Sequence, residues 1–183
     1  MSTIGFDTSN YTTSTAWTDG KNDINVRQIL YVKDGERGIR QSDGVFQHMK
    51  LMPVMYEKLS EQIDFKDVKA IGVSTRPRCV EGSYMPVFLA GEGYAKVVAD
   101  TLSVPLYEFS HQDGHIMAGI YSSGSFELLE NDFISVHLSG GTTEILKSRY
   151  NGFNFDNEII GGSKDISAGQ FIDRVGVKMG LHF

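Results

Sequence analysis

The chain has 183 residues, of which 40% are hydrophobic and 22% are charged, and its net charge is -6 at pH 7. This composition is typical of a soluble globular protein, and the negative charge argues against nucleic-acid binding by charge alone. A single cysteine, Cys79, excludes an internal disulfide framework. There is no apolar run of membrane-spanning length and no signal-peptide pattern at the start. We therefore expect a cytoplasmic protein with no membrane partner.

The first thirty residues predict a three-stranded antiparallel meander. Strands are expected at 3–7, 12–17 and 24–32, with turn-forming residues such as Asp19-Gly20 between them. A charged, exposed loop is expected at 33–37. From residue 44, apolar residues recur every three or four positions, which predicts an amphipathic helix. These residues are Phe46, Met49, Met52, Met55, Leu59 and Ile63.

The rest of the chain predicts alternating strands and helices, followed by a second meander. We expect a strand at 68–74, a helix at 85–102 and a strand at 104–109. Gly91 and Gly93 lie inside the helix, where glycine is costly unless something packs very closely. Further strands are expected at 133–137, 143–148 and 153–160, and then a helix capped by Ser167 that stops near Gly180.

The order of elements is therefore β-β-β-α-β-α-β-α, then β-β-β-α, which suggests a duplicated α/β design. The predicted first lobe is 1–130, and 131–183 is the start of a second, similar unit. Because that unit stops partway, we expect the chain to be a piece of a longer protein.

His111 and His115 lie four residues apart, directly after a predicted strand. On a helix both imidazoles would project from one face and could share a divalent metal ion, although two exposed histidines are the simpler alternative. Strand ends are the usual ligand sites of α/β folds, which favours the metal. A third ligand would have to come from elsewhere. Gln112 stands where a zinc peptidase with this spacing needs a glutamate, which disfavours peptide hydrolysis.

Two turns are candidate nucleotide contacts. Asp7-Thr8-Ser9 ends the first strand, where backbone amides could face phosphates and Asp7 could orient the water ligands of a metal. Ser139-Gly140-Gly141 permits close approach to a phosphate, although no Walker sequence follows. Asp173 could bind a hydroxyl pair. A polar turn, a simple hairpin and a solvated charge are the respective alternatives. Arg76-Pro77-Arg78 is expected to be a solvated loop that could meet an anionic partner.

Taken together, these motifs resemble the amino-terminal lobe of the Gcp/TsaD family, once called O-sialoglycoprotein endopeptidase or glycoprotease. The segments that carry the resemblance are 4–9, 110–115, 138–142 and 165–181. That family belongs to the actin-like ATPase superfamily. The resemblance therefore implies an actin-like ATPase (ribonuclease H-like) lobe with a mixed sheet.

The resemblance also implies a reaction, in which threonylcarbamoyl passes from threonylcarbamoyl-AMP to the N6 atom of an adenosine in tRNA. It implies that His111 and His115 bind iron or zinc, together with an aspartate of the carboxy-terminal lobe. The nucleotide, ATP or threonylcarbamoyl-AMP, would be contacted by Asp7, Ser9, Leu138, Ser139, Gly140, Gly141 and Asp173. The partners implied are tRNA, bound through the full-length complex, and a related scaffold subunit or a second copy.

The sequence departs from the family pattern at several places. Arg76-Pro77-Arg78 stands where Gly-Pro-Gly is usual, Thr142 replaces a histidine, and Asp113 replaces the commoner glutamate. These departures suggest a divergent paralogue, and we expect the chain by itself to be catalytically incomplete. Two alternatives stay open: a non-catalytic scaffold subunit that partners a transferase, and the metallopeptidase for which the family was first named.

Overall fold

The computed structural model describes residues 1–9, 11–33 and 38–181. Of the loop predicted at 33–37, all but the first residue lie outside this range. The chain folds as two compact units, Met1–His115 and Ile116–Phe183. The predicted lobe boundary at residue 130 concerns the full-length protein and stays a prediction.

The first unit is built on one mixed five-stranded sheet. Its strand order is β3-β2-β1-β4-β5. β1 pairs antiparallel with β2, and β2 with β3, whereas β1–β4 and β4–β5 are parallel. The elements are β1 (Ser2–Asp7), β2 (Thr12–Thr18), β3 (Asp23–Ile29), α1 (Gln41–Ser60), β4 (Val68–Arg76), α2 (Phe88–Leu102) and β5 (Leu106–Ser110), with α3 (His111–Ser123) following directly. The predicted order of elements is confirmed.

The core of this unit lies between the sheet and the helices α1 and α2. β1 alternates buried and partly buried residues, as expected for a strand with one face toward a core. β4 is more continuously buried, and it is the strand with parallel neighbours on both sides, β1 and β5. The buried cluster comprises Ile4, Phe6, Met52, Leu59, Val68, Ile71, Val73, Ala95 and Ala99.

The buried face of α1 differs from the predicted stripe. Met52, Met55 and Leu59 are buried as predicted, but Phe46 and Met49 are exposed. The first turns instead bury Gly44 and His48, and His48 Nδ1 lies 2.8 Å from Thr13 Oγ1 of β2. The prediction was wrong at this end because it followed apolar residues only. A histidine can occupy a core position when a hydroxyl meets its ring nitrogen.

Several predicted element ends were also wrong by a few residues, and β4 continues to Arg76 rather than ending at residue 74, so Arg76 is not part of a solvated loop as predicted. β3 ends at Ile29 rather than residue 32, because the backbone N–H and C=O of Tyr31 bond the carboxamide of Gln47. α2 begins at Phe88 rather than at Met85, since the preceding turn is closed by tighter, three-residue hydrogen bonds such as Phe88 N–H to Met85 O.

The second unit contains a three-stranded antiparallel sheet and a helix. The strands β6 (Phe133–Leu138), β7 (Thr143–Tyr150) and β8 (Phe155–Gly162) lie in sequence order, and α4 (Ala168–Lys178) follows. The predicted cap is confirmed, because Ser167 Oγ accepts a hydrogen bond from Gln170 N–H. The apolar stripe of α4 is exposed, including Phe171 and Ile172. Within the described ranges, none of the helices has the length and apolar character needed to cross a membrane.

Candidate functional site

The two histidines converge. α3 begins at His111, so the four-residue spacing places both rings on one face of its first turns. The Nε2 atoms of His111 and His115 lie 2.8 Å apart, and the ring centroids are 4.2 Å apart. His111 is partly buried and His115 is exposed. Two ring nitrogens therefore face one point that is open to solvent.

Asp7 fixes the orientation of His111. The Nδ1–H of His111 donates to Asp7 Oδ2 at 2.9 Å, and Ser9 N–H donates to Asp7 Oδ1 at 2.7 Å. Asp7 ends β1 and His111 follows β5, while β4 lies between these strands. The bond therefore spans the carboxyl end of β4, the edge where parallel α/β sheets bind ligands.

The carboxyl group of Asp7 is held in its charged form. Burial raises its pKa, but the hydrogen bond and charge of His111, together with hydrogen bonds from Ser74 and Ser9, outweigh this effect and lower the pKa to about 2. An ionised carboxylate accepts hydrogen bonds only. It therefore binds the proton on Nδ1 of His111, and in the neutral ring this arrangement would leave the lone pair on Nε2, the atom that lies 2.8 Å from His115 Nε2.

The first turn of α3 is held by its own side chains. Asp113 is buried, and its Oδ2 accepts hydrogen bonds from Ser110 N–H at 3.0 Å and Ser110 Oγ at 2.6 Å. Gln112 is also buried, and its N–H donates to Pro77 O. Gly114 lies in the same turn, but a Cβ built there would meet no atom within 4 Å. Packing therefore gives no reason for glycine at this position.

The geometry of the pair fits a divalent metal. Tetrahedral zinc with metal–nitrogen bonds of about 2.0–2.1 Å would place two imidazole nitrogens roughly 3.3 Å apart, about half an ångström more than in this structure. A carboxylate on the remote ring nitrogen of a ligating histidine is a common supporting contact at such sites. In the described part of the chain, no three His, Cys, Asp or Glu side chains are grouped so as to hold a metal ion. The third ligand expected from elsewhere stays a prediction.

In the second unit, the small-residue turn packs against the start of α4. Ser167 Oγ donates to Gly140 O at 2.7 Å, and Gly169 N–H donates to Ser139 O. A Cβ on Gly169 would lie 2.6 Å from Gly140 Cα, so only glycine fits there. Ser139 Oγ accepts hydrogen bonds from the N–H groups of Gly141 and Thr142. The turn thus directs two amides at one oxygen.

The other predicted nucleotide contacts are placed as follows. Leu138 is exposed at the end of β6, and Asp173 is exposed on α4. Ser9 follows β1 in the first unit, where its amide is used by Asp7. The structure brings Asp7, Ser9, His111 and His115 together within the first unit, and Ser139, Gly140 and Gly141 together within the second.

Sequence reasoning missed two contributors to the histidine site. Ser74 of β4 hydrogen-bonds to Asp7. Thr8, the residue after Asp7, hydrogen-bonds through its hydroxyl to α2 and the residue before it. A serine inside an apolar strand and a glycine inside a helix were the available signals. Neither identifies its partner without the strand order.

Comparison with known proteins gives a consistent picture. The family model described as TsaD, tRNA N6-adenosine threonylcarbamoyltransferase, matches residues 35–183. A protein of that name from Christiangramia forsetii is 32% identical over 135 residues, covering 73% of this chain and 37% of the relative. The Pyrobaculum calidifontis protein of the same name is 27% identical over 183 residues, covering 98% of this chain and 50% of the relative. The chain thus spans half or less of the length of these relatives.

Solved structures show the same fold at low sequence identity. YeaZ from Pseudomonas aeruginosa has a TM-score of 0.50 at 12% identity, covering 88% of this chain and 65% of that one. The ethanolamine utilization protein EutJ from Carboxydothermus hydrogenoformans has a TM-score of 0.52 at 16% identity, covering all of this chain and 58% of that one. The predicted actin-like ATPase fold is confirmed.

Proposed function

The chain belongs to the TsaD family of tRNA N6-adenosine threonylcarbamoyltransferases, and from that membership we propose that it is the amino-terminal part of a protein that transfers threonylcarbamoyl from threonylcarbamoyl-AMP to tRNA. His111 and His115 would hold a divalent metal ion, iron or zinc. The observation that carries the proposal is the 2.8 Å separation of their Nε2 atoms, with His111 fixed by Asp7.

When bound, the metal would polarise the carbamoyl carbonyl and hold it beside the attacking amine. The chain's own residues prepare that position. Asp7 keeps the Nε2 lone pair of His111 directed outward. The bonds from Ser110 to Asp113 hold the first turn of α3, so that the second ring meets the same point.

The turn at Ser139-Gly140-Gly141 is proposed to contact the adenylate phosphate. Its two amides already converge on Ser139 Oγ. Rotation of that hydroxyl would let an anionic oxygen take its place, since the amides would then point at negative charge. Leu138 would lie beside the carbonyl region, and Asp173 would contact the nucleotide.

tRNA is proposed to bind through the full-length complex. The net charge of -6 gives this chain no general attraction for phosphate backbones. Basic surface would have to come from the rest of the protein or from a partner subunit. A cytoplasmic location goes with this substrate.

Nucleoside analysis of tRNA tests the transferase proposal. We expect deletion of the gene for this chain to lower threonylcarbamoyladenosine in the tRNA of its cells. A His111→Ala, His115→Ala double variant should give the same loss, whereas His137→Ala on β6 should retain the nucleoside. Unchanged modification in the deletion strain would contradict the proposal.

A non-catalytic scaffold subunit is the second candidate, and one observation favours it. Phe46 and Met49, three residues apart on α1, are exposed at 64% and 48%. An apolar helix face of this kind suits a second subunit or a second copy. A scaffold predicts that the double histidine variant keeps modification, whereas Phe46→Asp with Met49→Asp abolishes it.

The metallopeptidase alternative has less support. The residue after the first histidine would have to act as a base, yet Gln112 has no acidic group and is only 4% exposed. Cleavage of a glycoprotein by the wild type, lost in His111→Ala, would support a peptidase.

A further inference from the structure

We propose that Arg76 forms an anion-binding subsite beside the histidine pair, which takes a phosphate or carboxylate group of the ligand. The identity of that ligand rests on the proposed function, but the subsite itself depends on neither the metal nor the transfer reaction. Arg76 is the first residue of the Arg76-Pro77-Arg78 segment, where the sequence departs from the family pattern.

The strand order places Arg76 at the site. The hydrogen bond from His111 to Asp7 joins the ends of β5 and β1 across the end of β4. Arg76 is the last residue of β4, and its Cα partner on β5 is Ser110, the residue before His111. Adjacent strands lie about 4.8 Å apart, so the arginine backbone is one strand spacing from the start of α3.

The pairing of β4 with β5 shifts register directly before Arg76. Ser74 pairs with Phe109 and Arg76 pairs with Ser110, so that Thr75 is an extra residue in β4. Bulges of this kind re-aim side chains and are frequent beside functional sites. Ser74 thus keeps its hydrogen bond to Asp7, and the bulge lies directly before Arg76.

The charge of Arg76 has no acidic partner among the described residues. Its guanidinium donates to Thr75 Oγ1 at 3.1 Å and lies 3.7 Å from Cys79 Sγ. The carboxylate of Asp7, at the end of β1, is bonded to His111 and Ser9. A partly buried guanidinium with only weak neutral acceptors retains most of its capacity to bind an anion.

The loop that follows is fastened to the histidine helix. Pro77 O accepts the N–H of Gln112 at 3.1 Å, and Arg78 N–H donates to Ser83 Oγ at 2.9 Å. These bonds tie the residue after Arg76 to the residue after His111. The backbone on both sides of this junction is therefore fixed before a ligand binds, which lowers the entropy lost on binding.

Ligand titration of the metal-free 183-residue chain, followed by NMR, tests the subsite. The probes are AMP for a phosphate, N-carbamoyl-L-threonine for a carboxylate, and adenosine as the uncharged comparison. We expect the wild type to bind at least one anion more tightly than adenosine. Arg76→Gln should weaken that anion about tenfold or more, because charge-assisted hydrogen bonds are lost. Adenosine binding should not change.

Two further variants make the result specific. Arg76→Lys keeps the charge but not the planar fork, and should fall between wild type and Arg76→Gln. Arg27→Gln removes an exposed arginine on β3 and should bind like wild type. Circular dichroism of each variant checks folding. Equal anion affinity in a folded Arg76→Gln protein overturns the subsite, as does a wild type that prefers neither anion over adenosine.

The same preparations separate this inference from the proposed function. Anion binding that depends on Arg76 in a chain whose histidines bind no Co²⁺ would support the subsite and count against the metal. Normal Co²⁺ binding with anion affinity that is independent of Arg76 would overturn the subsite and leave the metal proposal standing.

Discussion

Thr8 lies against Gly91, and the pair joins the end of β1 to the start of α2. Thr8 Oγ1 accepts the Gly91 N–H at 3.1 Å and donates to Val87 O at 2.8 Å. Thr8 is fully buried and directly follows Asp7. The contact therefore positions the carboxylate that orients His111, and it explains why a helix interior carries glycine at this position.

Gly91→Ala should destabilise the first unit by about 1–3 kcal/mol, because its Cβ would lie 2.9 Å from Thr8 Oγ1, which two hydrogen bonds hold in place. Gly93→Ala is the matched control in the same helix, since nothing lies within 4 Å of its Cβ. It should stabilise by roughly 0.5–1 kcal/mol through helix propensity. Urea unfolding followed by fluorescence of Trp17, the sole tryptophan, measures both. A neutral Gly91→Ala would count against the close approach.

A second prediction concerns Tyr94 and Pro53. Pro53 lies inside α1 and has no N–H, so Met49 O loses its helical donor, and Tyr94 Oη donates to it at 3.0 Å. Tyr94→Phe should cost about 1 kcal/mol in the wild type. In a Pro53→Ala background the alanine N–H can serve Met49 O, so the same change should cost clearly less. A double-mutant cycle by urea unfolding measures this coupling, and additive effects would contradict it.

A third prediction concerns the titration of Asp19, in the turn between β2 and β3. Hydrogen bonds from the backbone and side chain of Asn22, then from the backbone of Lys21, lower the pKa of Asp19 to about 2 from its ordinary 3.8. Because the folded pKa lies below the unfolded one, this stabilisation is present above about pH 4 and is lost as the pH falls toward 2. A carboxyl ¹³C titration of Asp19 should have its midpoint near pH 2. A midpoint near 3.8 would show that the turn bonds are absent in solution.

Much of the fold could be predicted from local sequence patterns. Alternating apolar residues, the Asp19-Gly20 turn and the Ser167 cap each act within a few residues, and each element they predicted is present. The errors arose where partners are distant in sequence. β3 ends early because Gln47 bonds the backbone of Tyr31, and His48 is a core residue because it meets Thr13. Neither contact can be read from the residues next to these positions.

The histidine site was likewise predictable in part from the sequence. The four-residue spacing of His111 and His115 determines that the rings share a face, and this is readable from the sequence. The role of Asp7 is not, since it lies 104 residues from His111 and reaches it only because β1, β4 and β5 are neighbours. The suggestion that Asp7 orients metal-bound water stays a prediction, and the structure adds the contact of its Oδ2 with His111 Nδ1.

The proposed metal site depends on the convergence of the two imidazoles, and a Co²⁺ titration of the 183-residue chain tests this convergence. Cobalt reports its ligands through visible absorption and substitutes for zinc or iron at nitrogen ligands. We predict one Co²⁺ per chain, with binding lost in His111→Ala and in His115→Ala, and retained in His137→Ala. Affinity should fall about 10- to 100-fold in Asp7→Asn. If both histidine variants bind Co²⁺ as the wild type does, the two rings do not share a metal ion.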